Sequence, residues 1–584
     1  MSVDSQKPEV CPQGVSRRTL FQTAGWTSAA AVAVGSEPAA ARPEARSAPP
    51  MRVAQRRYGL DKGLPATPAA GIVALNRMAF GPRPGDLAAF DALGGTDPDR
   101  LAAYVAQQLD PDSLTDTELD ARLSAAAFES IGISNDPDVY RETLWDWYIN
   151  DNAPSGNTSS SIPRDELTRA TFLRAMYGRK QLVEVLTDFW LNHFNVNINH
   201  SSFVRTMYAH MDLEIRLEIL GSFRAMLEAV TRSTAMLYYL DNYTSSNAGP
   251  NENFSRELFE LHTLGAENYL GILQQAQVPT DPLGRPVGYV DADVFEATRC
   301  FTGWSFSYGV DNDGDTGQFY YRPDWHDRFQ KNVLGVFIPQ DQADLEDGRD
   351  VLDALASHPG TGRHIARKLC RRLIGDTPPQ SVVDAAATVF TDQWQAADQL
   401  KQVYEVILLS DAFRDTWGEK IKRPFEIVAG ALRAAGADFT LKMNDSDTSS
   451  FLNRYDDTGQ ELFTWPAPNG FPDVRGAWQS MTPRVMSWRL CNWLIDFDDD
   501  AGNYYLDILG QTPAPVRSAN DLADFWIDRI LGRPMDPADR QEIVDFMAQG
   551  FNPTFDLDLD DDDTQDRLRS MVGLLLMSPD FLWR

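Results

Sequence analysis

The stretch TPAAGIVALNRMAFGP, residues 67–82, sets the reading of the whole chain. Thr67 before Pro68 is an N-cap followed by proline at the first helical position, where the missing N–H costs nothing. Ile72, Leu75 and the Met78/Ala79 pair keep helical spacing, and Gly81-Pro82 ends the run. The same pattern of cap, apolar stripe and breaker repeats to the last predicted helix at 564–577. Strand-like alternation is confined to short runs such as Trp304 to Val310 with Gly317 to Tyr321, a hairpin around 311–314. The expected fold is therefore mainly α: one large multi-helix domain over residues 66–584 with a few short β-hairpins, preceded by a Pro-, Ala- and Arg-rich linker over 42–65. ILLSDAFRD (407–415) and LLLMSPDFLWR (574–584) echo one another, which a shared helix-ending motif explains without a repeat array.

The 584 residues are 43% hydrophobic and 23% charged, a globular composition. Asp and Glu number 84 against 53 Lys and Arg, and the net charge of -31 repels nucleic acid and anionic membrane surfaces. Residues 1–41 read as a twin-arginine export signal: Ser16-Arg17-Arg18-Thr19-Leu20-Phe21, a mildly apolar Ala-rich stretch, then Ala39-Ala40-Ala41 as a cleavage site. The expected product is periplasmic or extracellular and has no integral membrane segment, since no other stretch reaches the roughly eighteen apolar residues a spanning helix needs. Cleavage would remove Cys11 and leave Cys300, Cys370 and Cys491, which can form at most one disulfide within the chain. Helical contexts make Cys300 and Cys370 buried small residues on the plainer reading.

All seven histidines fall between His193 and His364. Within TDFWLNHFNVN (187–197), Glu184, Asp188 and Asn192 form a polar stripe beside the bulky Phe189, Trp190 and His193; a capped helix end with a core histidine is the alternative. NENFSRELFELHTLG (251–265) gathers Asn253, Arg256, Glu257 and Glu260 with His262 nearby. Closely spaced carboxylates around a guanidinium can have their pKa values set apart for acid and base work, whereas a salt-bridged helix would use the same residues for cohesion alone. RPDWHDRFQKNVLG (322–335) places His326, Asp327 and Lys331 on an apparent loop. Four functional readings follow: a metal-dependent enzyme, a metal-free hydrolase using Glu257 or Glu260 with Arg256 and His326, a binding or assembly protein, and, least favoured, a haem or flavin protein. The candidate catalytic residues are Glu257, Glu260, Arg256 and His326. His193 and Asp327, joined by Glu257, Glu260 and His326, are the candidate ligands for a divalent metal, zinc, iron or manganese. These residues and Asn253 are expected to share one cleft, with Trp190, Phe194, Leu258, Leu261, Phe301, Trp304, Ile365, Leu369 and Leu373 buried around it. DNDGD (311–315) opens like a calcium loop, but its twelfth position is Arg322, so it reads as a turn.

Nine segments in order, among them ALNRMAFGPRPGDL (74–87), DFWLNHFNV (188–196), NENFSRELFELHTLG, GYVDADVFEATRCFTGW (288–304), HPGTGRHIARKLCRRLI (358–374), KIKRPFEIVAGALRAAG (420–436) and WPAPNGFP (465–472), resemble the DUF1800 family of exported bacterial proteins. The resemblance implies a mainly helical fold, no established activity, and an exported DUF1501-like partner. The sequence departs from the family pattern at Leu191, where a polar residue or His is common, and in an insertion over 267–287.

Overall fold

The computed structural model describes residues 66–310, 313–498 and 504–584. Residues 1–41, read from sequence as an export signal, the stretch 42–65 read as a linker, and Cys11 lie outside these residues. Gly63–Arg584 forms one compact unit. Its architecture is mainly α, with two two-stranded antiparallel sheets among the described residues. The helices used below are α1 (Ala70–Arg77), α2 (Gln181–His193), α3 (Ser202–Leu217), α4 (Asn253–Glu257), α5 (Asp291–Cys300), α6 (Pro359–Leu373), α7 (Gln380–Asp392), α8 (Gln399–Leu408), α9 (Pro424–Ala434) and α10 (Met481–Asp496).

The opening helix starts later than its sequence signal. The Thr67 hydroxyl donates to the Asp415 carbonyl, so it does not cap, and α1 begins at Ala70 behind Ala69. Every residue of α1 is buried, including Arg77, which donates to the carbonyls of Phe413 and Thr416 at 2.7 and 2.9 Å. A buried guanidinium donating to main-chain carbonyls ties two distant segments together.

The predicted hairpin forms: β1 (Trp304–Phe306) pairs with β2 (Phe319–Tyr321) in the register Trp304 to Tyr321. Asp311 and Asn312 lie outside the described residues. The remaining acids of DNDGD have protein partners, Asp313 pairing with Arg322 and Asp315 accepting from the Trp145 indole. A second hairpin, β3 (Lys331–Val333) with β4 (Val336–Ile338), arises from the stretch read as a loop.

Trp190, Phe194, Leu258, Phe301, Trp304, Ile365, Leu369 and Leu373 are all buried. Leu261 is only half-buried. After α4 the chain makes a π turn over Leu258–His262, which shifts the helical register, so that Phe259 and His262 turn inward in its place. Around this core α6 packs on α7, α7 on α8, and α2 on α3. The two echoing segments are alike in structure: Ser410 and Ser578 each cap a short helix, accepting from the N–H of Phe413 and Phe581. The second of these brings the chain to Arg584, which is buried. Cys300, Cys370 and Cys491 are buried free thiols. No helix among the described residues is long and apolar enough to cross a membrane.

Candidate functional site

One face of α6 carries His364, Lys368 and Arg372 at successive i,i+4 positions, while Ile365, Leu369 and Leu373 bury the other. This polar stripe lies against the end of α2 and the π turn. Lys368 Nζ is 2.7 Å from His193 Nδ1, and His193 Nε2 is 3.1 Å from the His262 carbonyl. An ammonium can only donate and a carbonyl can only accept, so His193 is the neutral tautomer protonated at Nε2. Burial holds His193 well below the ordinary histidine range, and the Lys368 charge adds to this. Its ring stacks on Phe189 and meets Trp190 and Phe194 edge-on, which excludes water from three sides.

His262 and His364 complete the cluster, their ring centroids 6.0 and 6.4 Å from that of His193. Burial lowers His262 to about 3, and its Nε2 is buried without a hydrogen-bond partner. His364 is 3.1 Å from Glu267 through Nδ1. Burial alone would raise Glu267; the His364 hydrogen bond and the Arg367 guanidinium overcome it and bring the carboxyl to about 2. Gly265 makes this junction possible. It has φ +86°, and a Cβ there would stand 2.3 Å from His364 Nδ1 and 2.4 Å from Glu267 Oε2.

Lys368 is the chemically unusual member. Among the described residues no carboxylate lies within salt-bridge distance of its amine. Burial, then the neighbouring Arg371, lowers it from 10.5 to about 8, with Asp473 and Glu267 opposing. An amine near neutrality beside an uncharged imidazole can take up a proton or act as a nucleophile.

One turn along α6, Arg372 enters a buried ion network. It meets Glu426 of α9 at 2.5 Å and Asp188 of α2 at 3.1 Å; Arg423 pairs with the same two acids, and Arg584 with Glu426. Burial would raise Glu426, yet Arg372, Arg584 and Arg423 hold it well below the usual carboxylate range. Lys420 pairs with Asp473 at 2.8 Å. The Asn192 side chain exchanges two hydrogen bonds with the Phe471 backbone, and Asn195 donates to the carbonyls of Trp465 and Ala467. The WPAPNGFP loop is thereby laid over the end of α2. A cavity of about 20 Å³, lined in part by Asp188, Asn192, Arg423 and Phe471, lies beside it.

The residues expected to share one cleft fall into separate networks. His193 belongs to the cluster just described. His326 faces the Thr302 carbonyl at 2.9 Å and Asp347 at 3.1 Å, while Asp327 is clamped by Arg299 at 2.8 and 3.0 Å. Lys331 completes that second group at 2.5 Å from Asp347. Arg256 pairs at the surface with Glu252 and Asp291, at 3.5 and 3.4 Å. Asn253 opens α4, with Glu257 at its end, and Glu260 in the π turn lies near the buried Tyr289 hydroxyl, whose pKa burial and this carboxylate raise. The candidate ligands His193, Glu257, Glu260, His326 and Asp327 are thus distributed over different elements and partners. The nitrogens of His193 and His326 and the oxygens of Asp327 are committed to different protein partners, and no three His, Cys, Asp or Glu side chains among the described residues are placed to hold one metal ion.

His364 and Lys368 were not among the sequence candidates; the i,i+4 stripe His364-Lys368-Arg372 was the available signal, on a helix that also carries Arg363, Arg367 and Arg371. His193, His262, and His364 with Lys368 come from three of the ordered segments quoted above, 188–196, 251–265 and 358–374. No curated protein and no solved structure matches the chain. The sequence pattern described as "Protein of unknown function (DUF1800)" matches residues 73–583, nearly the whole length, and the chain belongs to that family.

Proposed function

We propose that this protein is an enzyme acting outside the cytoplasm, with the Lys368 amine as its proton acceptor or nucleophile and His193 as the residue that positions it. The observation that carries the reading is the contact at 2.7 Å between an amine without a carboxylate partner and a buried neutral imidazole. Burying a cation without a counter-charge costs stability, and such groups cluster where chemistry needs a shifted pKa. When Lys368 takes a proton, His193 Nδ1 receives the new N–H, and the His262 carbonyl keeps the ring from turning away. The π turn that delivers that carbonyl is a feature enriched at functional sites.

Reductive trapping tests the reading. At pH 8 a small aldehyde should condense with the neutral amine, releasing water, and cyanoborohydride should reduce the imine to a stable secondary amine at Lys368. Peptide mapping should find this adduct first and lose it in Lys368→Met. Labelling of exposed lysines with Lys368 spared would overturn the reading.

Export by the twin-arginine route is supported by Arg17-Arg18 and the alanines that follow. Replacing both arginines by lysine should leave the precursor in the cytoplasm, which fractionation and immunoblotting would show. Continued export would refute it.

A second reading, docking of an exported DUF1501-like partner, is favoured by the insertion. Ile272 and Leu283 are 89% and 77% exposed, and Phe337 on the adjoining β3–β4 hairpin is 63% exposed. The two segments touch, Gln275 donating to the Asn332 carbonyl at 2.7 Å. Large apolar side chains exposed on adjoining segments favour an interaction surface. Ile272→Asp with Phe337→Asp should abolish co-purification with such a partner; undiminished recovery would count against the surface.

A further inference from the structure

Lys420 and Lys422 lie two residues apart on the segment leading into α9, and their surroundings differ. Lys420 has Asp473 and Asp376 at 2.8 and 3.5 Å. Lys422 is equally enclosed, 5% exposed, yet among the described residues its Nζ has neither a carboxylate within salt-bridge distance nor a hydrogen-bond acceptor. Its Nζ lies over the Phe581 ring, 4.0 Å from the centroid. Glu426 of α9, whose charge acts on Lys422, is paired with Arg372, Arg423 and Arg584.

Lys422 lines a cavity between the start of α9 and the start of α10, together with Ile427, Trp478, Pro483, Arg484 and Leu582. Arg484 also lacks an acidic partner among the described residues, and its Nε is buried and unpaired. The charge of Arg475 acts on Arg484, and the Arg475 Nε is likewise buried without a partner. Two cations, Lys422 and Arg484, thus line one largely apolar pocket, and among the described residues neither has a carboxylate within salt-bridge distance. Burying an ammonium without a paired counter-charge is costly, and burial brings the Lys422 amine down from 10.5 to about 7 although Glu426 opposes this. A counter-ion from outside removes that cost.

We infer that this cavity is a binding site for an oxyanion group, a phosphate, sulfate or carboxylate, with Lys422 at its floor and Arg484 at its mouth. The free space is about 10 Å³ for the centre of a water-sized group, the room one oxygen needs. One oxygen reaches Lys422 Nζ, and the others stay with the guanidinium of Arg484, whose planar donors suit such a group. Trp478 and Pro483 offer an apolar flank for whatever carries the anion.

Calorimetric titration of the full-length protein at pH 7 with inorganic phosphate, and separately with phenyl phosphate, tests the site. One equivalent should bind. Arg484→Gln, at a half-exposed position, and Lys422→Met should each weaken binding at least tenfold. Equal affinity for the two probes identifies a free oxyanion as the ligand, and tighter binding of phenyl phosphate identifies the acidic group of a larger molecule resting on Trp478. Absence of binding of both probes to the wild-type protein, or binding unchanged in Arg484→Gln, would overturn the inference.

Discussion

Replacing Glu426 by Gln is expected to destabilise the protein by about 3–5 kcal/mol, the cost of removing one partner from a buried ion network. Glu426 is 2% exposed and answers three guanidinium groups, Arg372, Arg423 and Arg584, while also accepting from the Arg423 backbone N–H at 2.8 Å. Glutamine keeps the shape and removes the charge, so Arg372 and Arg423 would keep only Asp188 within ion-pair distance and Arg584 would lose its paired acid. Urea unfolding reads the loss as a lower midpoint at unchanged slope. The pH dependence has a defined sign. The folded pKa of Glu426 is depressed, so its contribution is present above the unfolded value of about 4.3 and is lost as pH falls from there toward the folded value. The variant should therefore lose part of the wild-type slope of stability against pH below that value.

Lys368→Met is expected to act in the opposite direction on stability while removing reactivity at the centre. The folded pKa of Lys368, about 8, lies below the ordinary 10.5. The unfolded chain holds a proton between these values that the folded chain has released, so stability rises with pH from 8 to 10.5, and at pH 7 the full cost of the enclosed charge is present. Methionine fills similar space without that charge. The variant should be more resistant to urea than the wild type at pH 7 and should form no reductive adduct at this position. A residue kept purely for cohesion would show the reverse, a loss of stability on replacement.

Helix content was legible because caps, apolar spacing and breakers are local signals, and the Trp304 to Tyr321 hairpin was legible for the same reason. The polar stripe of α2 was also legible as a problem needing partners: Asp188 finds Arg372 and Arg423, Glu184 finds Arg216, and Asn192 finds the backbone of Phe471. Which partners these are depends on residues tens to hundreds of positions away, and spacing carries no information about them. His326 and Asp327 look reactive on a loop, yet each is held by a protein partner, Asp347 and Arg299 respectively. Leu261 was misplaced because a π turn breaks the 3.6-residue period on which the expectation rested. Lys368 was hidden inside a basic run, ARKLCRR, that reads as a solvated helix face. Its environment comes from His193, 175 positions earlier.

The centre is tested most directly by following the lysine side chains, labelled with ¹³C at Cε, through a pH titration of the wild-type protein, with the Lys368 resonance assigned by its absence in Lys368→Met. The account predicts that this resonance titrates near pH 8. Titration near 10.5, the value of an ordinary lysine, would contradict it.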